Sequence, residues 1–478
     1  MQKPQTLEYA SLNANAESAE LAAYRGTLLG QTDLKLFTNP WVRRGFYLLV
    51  LLILVIASVQ FCVKITEVDV SLFRSSGERH RTALGRWLPT AGLIFDNPTQ
   101  EDPYGYGHWF PTPPMMLLMI APLSKLGFVG AGIVWSLLKL AGFAGGMMLI
   151  INGMNRDRFQ VPVGVLIMAA VYSLRPVVGD ITHGNLNIFM MVWLAIAWGA
   201  YIRRKEYTAG LFVALAVATK LTPALVVVYF AYKREWRVLA GALVGLLLFF
   251  IVIPGLMLGF ETNWDYLKSW FDMLVAPFAL QGYAANEPAN QSLFGVLMRL
   301  FSNAGILKIE HMSGEMSFES GMEDMSRPAT ALGRLLKPAI TLPILAVLAY
   351  CCRTRVNRKE RGDPRLLLEF SLVLLAMLLM SERTWKHHAT TLPIVFLAIW
   401  FGLTCRPLTD QFRKWFVAGL VGQLVLLVIL SEGILPERIA EQLLDGGIFC
   451  WGLLLCFVQT AILIRAIDRL PPAAVASP

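Results

Sequence analysis

Long apolar runs punctuated by basic residues leave this chain few ways to fold. Ten such runs, 45–64, 128–150, 160–178, 186–202, 237–259, 338–352, 366–380, 390–404, 415–434 and 444–465, reach or approach the length that crosses a bilayer, about 20 residues at helical rise. An eleventh, 208–232, is long enough for two short helices and is interrupted at Lys220, Thr222 and Pro223. Backbone polar groups inside lipid must pair within their own segment, so runs of this kind predict helices. The expected fold class is all-α: a polytopic transmembrane helical bundle of about twelve crossings. Residues 113–126 (PPMMLLMIAPLSKL) are too short to cross and hold three prolines, which predicts a re-entrant or interfacial helix. Charged residues make up 16% of the chain, against about 25% in soluble domains; a soluble globular class is excluded.

The basic residues orient the runs. Arg43 and Arg44, Arg156 and Arg158, Arg203 to Lys205, Lys233, Arg234 and Arg237, the segments 353–365 and 406–414, and Arg465 and Arg469 all fall between spans. Placed in the cytoplasm, they make the spans alternate consistently with both termini inside. The expected organisation is a cytoplasmic segment over 1–44, without the marks of a cleavable signal, a membrane domain over 45–466, and a cytoplasmic tail over 467–478. The long outer loops are 65–112 and 260–336; 179–185, the Lys220 break, 381–389 and 435–443 are shorter outer segments. The expected location is the cytoplasmic (inner) membrane of a bacterium. The first outer loop carries Arg74, Arg79, Arg81 and Arg86 on the translocated side; either its length overrides its charge or it meets a phosphate. The net charge of +9 fits cytoplasmic loops and lipid head groups, and no basic-aromatic module for nucleic acid is present. The six cysteines lie in or beside apolar runs with no CxxC pair, so they read as small core hydrophobes.

With this topology four polar clusters end at one membrane surface. They are Glu67 and Asp69 in KITEVDVSLF, His183, Asn185 and Asn187 in GDITHGNLN, Lys220 in ATKLTP, and Glu382, Arg383, Trp385, Lys386, His387 and His388 in SERTWKHH. Ionisable groups at a membrane are costly and usually functional. Each also has a plainer reading. Asp69 could cap a helix, Asn185 and Asn187 could turn the chain, and Lys220 could snorkel. The histidines could sit at the interface or bind a metal. Adjacent histidines on a helix point about 100° apart, so a shared metal would need ligands that the sequence does not offer; no metal and no cofactor is expected.

A sugar activated as a phosphate ester needs cations for the departing charge and one carboxylate to take a proton from the incoming hydroxyl. Tyr104, Tyr106, Trp109 and Trp385 offer flat faces to a sugar. No Walker loop or Rossmann fingerprint appears to cradle a soluble nucleotide donor, so a lipid-borne donor fits better.

The motifs Asp69 with Phe73, Asp102-Pro103-Tyr104 followed by FPTPPMMLLMIAPL, GNLN at 184–187, KLTP at 220–223 followed by YKREWR, NQSL at 290–293 and SERTWKHH at 381–388 together resemble the polyprenyl-phosphate-sugar-dependent transferases of the glycosyltransferase-C superfamily, and among them glycosyltransferase family 87. Asn185 stands where the family pattern has Gln, and an acidic, Met-rich insert at 303–330 has no counterpart. The resemblance implies that Asp69 is the general base for an inverting transfer, moving a sugar (commonly mannose) from polyprenyl phosphate to a lipid or glycan acceptor on the outer face of the cytoplasmic membrane. It implies Lys220, Arg383 and His387 or His388 as ligands of the lipid phosphate, with Arg74 as a second choice. Glu67, Tyr104, Trp109, Asn185, Asn187, Gln291 and Trp385 are the candidates for sugar or acceptor contacts, and Glu67 is the rival base. A transporter or flippase for a lipid-linked saccharide would use the same cations without a base; a ligase or polymerase would usually carry a larger outer loop.

Overall fold

The structure is a computed structural model that describes residues 22–36, 39–74, 77–96, 102–104, 110–155, 160–312, 325–354, 363–430 and 434–470, with backbone alone at 34, 36, 68–74, 77–80 and 96. A short helix, α1 (Leu28–Leu36), leads into α2 (Pro40–Lys64). The Asn39 side chain accepts the Trp41 N–H, and Pro40 stands in the first turn, where its missing N–H is no loss. The segment after α2 is structured: β1 (Val68–Arg74) pairs antiparallel with β2 (Gly77–His80), and α3 (Ala83–Asp96) follows. The alternation in VDVSLF carries the strand period. α4 (Pro114–Ser124) is the short helix expected at 113–126, mostly buried among α3 and its neighbours.

The bundle continues with α5 (Gly127–Met154), α6 (Val163–His183) and α7 (Asn187–Ile202). Helix α6 runs through most of the expected outer segment 179–185, so Asp180 is a helical residue. It stops at Gly184, whose φ of 68° is the left-handed conformation that ends helices and suits glycine. A Cβ there would meet Phe61 at 2.3 Å, so the same glycine lets the C-terminal part of α2 close on α6. α8 (Glu206–Thr219) and α9 (Ala224–Tyr232) are the two limbs of 208–232, parted at Lys220. α10 (Trp236–Leu258) lies against α8 through glycines. A Cβ on Gly210 would come within 2.0 Å of Val238 O, and one on Gly241 within 2.2 Å of Tyr207 O, the backbone approach that small residues permit between membrane helices. Pro254 cannot donate to Phe250 O. A wider π turn over Leu248–Val252 precedes it, and Asn263 Nδ2 supplies the missing donor at 2.9 Å.

The segment after α10 holds α11 (Phe260–Leu274), β3 (Ala284–Ala285), α12 (Leu293–Asn303), β4 (Ile309–His311) and β5 (Met325–Pro328), the strands ordered β3-β5-β4. The chain closes with α13 (Ala331–Cys351), α14 (Pro364–Leu379), α15 (Leu392–Thr404), α16 (Asp410–Ile429), α17 (Glu437–Asp445) and α18 (Ile448–Asp468). Every expected span therefore has a helix. Among the described residues seven helices, α2, α5, α6, α10, α13, α16 and α18, are long and apolar enough to cross a membrane. The other five, α7, α8, α9, α14 and α15, have 9 to 16 residues, and a 13-residue helix rises only about 20 Å. The shortness of α14 and α15 has a packing reason: nearly every residue of both is buried in protein, so their ends meet protein rather than lipid.

Contacts define two ends of the bundle. At one, Lys233 Nζ lies 2.5 Å from Glu369 Oε2 and donates to Cys352 O at 2.8 Å and Thr354 O at 2.6 Å. There Glu369 also accepts from Arg365 and Tyr229, and Arg365 reaches Asp468. The opposite end gathers the polar clusters described next. The molecule is an integral membrane protein of helical, polytopic build.

Candidate active site

The site is built on a buried polar chain. Lys139 of α5 and Asp180 of α6 have fully buried side chains, with Lys139 Nζ 2.8 Å from Asp180 Oδ2 and 2.7 Å from Asp180 O. Asp180 Oδ1 accepts from Asn187 Nδ2 at 2.9 Å and from Asn187 N at 3.3 Å, which fixes the turn between α6 and α7. Asn187 Oδ1 then accepts from Lys220 Nζ at 3.1 Å. Thr390 Oγ1 donates to Asn187 O at 2.8 Å and ties the start of α15 to the same point.

The second wall is the segment after α14. NQSL clamps it: Asn290 Nδ2 donates to Glu382 O, Asn290 Oδ1 accepts the Thr384 N–H, and Gln291 N donates to Thr384 O at 2.7 Å. Residues Lys386–His388 form a tight 3-10 turn. Glu287 Oε1 accepts from Trp385 Nε1 at 2.8 Å and lies 3.4 Å from Arg383 Nε, while the Arg383 guanidinium sits 5.7 Å from the Trp385 ring centroid.

The two imidazoles point different ways. His387 stacks on His183 at 4.5 Å and meets His388 edge-on at 4.8 Å and 89°. Asn185 Oδ1 already accepts the Leu186 N–H, so its Nδ2 is the donor to His387 Nε2 at 3.2 Å. That leaves the His387 proton on Nδ1. His388 stacks on Trp385 at 5.8 Å. Burial first, then the neighbouring imidazoles and Lys220, holds both histidines well below the ordinary imidazole range, so both are neutral at pH 7. Burial also lowers Lys220 to about 8, against the partial support of Glu382 and Asp180.

These side chains face two spaces. Lys220, Thr222, Ser381, Arg383, Thr384 and His388 line a cavity of about 10 Å³, room for about one water. On the other side of the histidine pair a groove of about 670 Å³ runs between α2, α6 and α16. Leu49, Val50, Ile53, Leu174 and Val178 make it apolar, and Arg175, His183, Lys386 and His387 add polar groups. The C-terminal end of α2 reaches the same place: Phe61 packs at Gly184, and Lys64 and Arg86 lie within electrostatic range of His183.

Lys220, Arg383, His387, His388, Trp385 and Asn185 thus come together from distant parts of the chain. Asn187 is there too, with both amide atoms held internally. Gln291 is a clamp: its Nε2 donates to Pro288 O and Leu444 O, and its Oε1 accepts from Phe449 N and Cys450 N. Tyr104 is buried, with its hydroxyl on Thr112 O at 2.8 Å. These three side chains have internal partners where open sugar contacts were expected. Glu67 is exposed, 3.5 Å from Arg81. Asp69 and Arg74 lie on β1, Asp69 opposite Arg79, with backbone described but not side chains; Trp109 lies outside the described residues. Lys139, Asp180 and Glu287 were missed by the sequence reading, and Asn290 entered it only as the first residue of NQSL, without a role of its own. A charge inside an apolar run was the available signal for Lys139; Glu287 had none beyond its neighbourhood to NQSL.

Fold and site together define a polytopic helical membrane protein with cations and imidazoles gathered at one end of its bundle. The chain belongs to glycosyltransferase family 87, whose model matches residues 110–381, more than half of the 478 residues. It is 26% identical over 229 residues, 45% of this chain and 50% of the relative, to the polyprenol-phosphate-mannose-dependent alpha-(1-2)-phosphatidylinositol mannoside mannosyltransferase of Mycobacterium tuberculosis. To a polyprenol-phosphate-mannose-dependent alpha-(1-2)-phosphatidylinositol pentamannoside mannosyltransferase of the same species it is 24% identical over 311 residues, 65% of this chain and 61% of the relative. A phosphatidylinositol mannoside mannosyltransferase of Mycolicibacterium smegmatis shares 24% over 296 residues, 60% of this chain and 58% of the relative. The chain spans about half to three-fifths of the length of these relatives. No solved structure matches it.

Proposed function

We propose that the protein transfers a sugar, mannose by analogy with its relatives, from a polyprenyl-phosphate donor to a hydroxyl of a lipid or glycan acceptor at the outer face of the cytoplasmic membrane. The observation that carries this reading is the convergence of Lys220, Arg383 and the two histidines beside an apolar groove. A groove of that size falls within the usual range for ligand sites, about 300–1,000 Å³, and its apolar wall suits an isoprenoid tail. Lys220 and Arg383 are the phosphate ligands. The neutral histidines act as N–H donors rather than as charges. Asp69 is the base: its carboxylate takes the acceptor proton, the acceptor oxygen bonds to the anomeric carbon, and the carbon–oxygen bond to the phosphate breaks with its electrons leaving on polyprenyl phosphate. Displacement in one step inverts the anomeric centre. No cofactor enters the scheme.

The direct test incubates the purified protein with several radiolabelled polyprenyl-phosphate sugars and membrane extract. Label should pass from polyprenyl-phosphate mannose to a product; a protein that moves the donor across vesicles and yields no product would be a transporter instead. Lys220→Ala and Arg383→Ala should each weaken donor binding by roughly 10- to 100-fold, and unchanged affinity in both would remove the phosphate assignment. Binding should also depend on pH. Lys220 is charged below its value of about 8 and loses its proton above it, so affinity measured at pH 9 should be about tenfold lower than at pH 7. Acidifying from 7 to 6 should change little, because both histidines stay neutral. A rise in affinity with pH would contradict the assignment.

A further inference from the structure

We infer that Asp180 is a positioning residue for Lys220, acting through Asn187. The inference rests on the assignment of Lys220 to the donor phosphate. Nothing about an aspartate near the end of a membrane helix requires this; the direction of each hydrogen bond does. Lys139 Nζ lies 2.8 Å from Asp180 Oδ2, and both side chains are fully buried, so the carboxylate is paired and meets its neighbours as a hydrogen-bond acceptor. Its Oδ1 therefore draws the donor side of the Asn187 amide, Nδ2, at 2.9 Å. That choice turns Asn187 Oδ1 outward, where it accepts from Lys220 Nζ at 3.1 Å.

An amide is the only link in this chain that could face either way. Were its polarity reversed, Nδ2 would confront the Lys220 ammonium, donor against donor, and push it from its place. The Asn187 N–H, which also points at Asp180 Oδ1 at 3.3 Å, keeps the residue from swinging away. The Thr390 hydroxyl holds Asn187 O at 2.8 Å from the other side. Lys220 lies in the break between α8 and α9, where no helical hydrogen bond fixes its direction beyond its own N–H to Ala216 O. Its ammonium is thus aimed by a group two helices away, and the cavity that it lines with Arg383 and His388 inherits that aim.

Asp180→Asn alone would leave Lys139 buried without its counter-charge, so the informative variant is the neutral pair Lys139→Met with Asp180→Asn. Binding of polyprenyl phosphate is measured in nanodiscs for the wild type, the pair, Lys220→Ala and the triple variant. The pair should melt close to the wild type yet bind about tenfold more weakly or worse, and the triple should bind no more weakly than Lys220→Ala alone, because both changes remove one interaction. Should the pair fail to fold, Asn187→Leu keeps the Lys139–Asp180 ion pair and interrupts the same route, with the same non-additivity expected against Lys220→Ala. If the pair binds like the wild type while Lys220→Ala is weakened, or if the losses add, the positioning role is overturned and the phosphate assignment stands. If Lys220→Ala itself binds like the wild type, it is the phosphate assignment that fails.

Discussion

Asp69→Asn should bind polyprenyl-phosphate sugar as the wild type does and lose turnover by roughly 10²- to 10⁴-fold, the usual contribution of a general base. The amide keeps the size of the side chain but cannot take up the acceptor proton. Position supports the choice. β1 follows α2 by a few residues, and the C-terminal end of α2 packs against Gly184, next to the His183–His387 stack, so the strand starts at the end of the bundle where the cations gather. Glu67, the rival, is exposed and lies near Arg81; Glu67→Gln should stay within a few-fold of the wild type. Initial rates with labelled donor, measured beside donor affinity, separate the two. Full turnover in both variants would end the transferase mechanism proposed here, and a loss confined to Glu67→Gln would move the base by two residues. A transporter would tolerate both changes.

Much of the helical plan was legible because its cause is local. An apolar run in lipid has to satisfy its own backbone, so each run from 45–64 to 444–465 became a helix, and the Lys220-Thr222-Pro223 interruption became the break between Thr219 and Ala224. Lengths were less legible, since α14 and α15 are short for a reason that lies in their neighbours. The β1–β2 pair was written in the alternation of VDVSLF, but a loop reading set between spans passes over a period of two. Partners across the fold were the hardest to see. The gathering of Lys220, Arg383 and the histidines was expected from topology alone, whereas the Lys139–Asp180 pair joins residues 41 apart on different helices, and helical spacing says which face a residue takes, not which helix it meets. The same limit explains Gln291. Expected as a sugar or acceptor contact, it holds α18 and the end of α17 to the SERTW segment.

Glu369→Gln should be the most destabilising single change at the other end of the bundle, by about 3–5 kcal/mol, the usual cost of breaking a buried ion pair from one side. By sequence Lys233 is one more basic residue of a cytoplasmic loop, yet its side chain and that of Glu369 are 1% and 0% exposed. The carboxylate is the hub. It faces Lys233 on one oxygen and Arg365 on the other, and Tyr229 and Thr354 donate to it as well. Neutralising it leaves two cations with less anionic support, and only Arg365 keeps a second carboxylate, Asp468. Lys233→Met should cost less, because Glu369 retains Arg365, although Cys352 O and Thr354 O lose their donor. The double variant Lys233→Met with Glu369→Gln should recover part of the loss of Glu369→Gln, since it removes the stranded charge. Thermal unfolding of the three variants in one detergent gives the order directly. Equal melting of Glu369→Gln and the wild type would mean that water or lipid head groups already compensate these charges, and that α9, α13 and α14 are held together at this end by apolar packing alone.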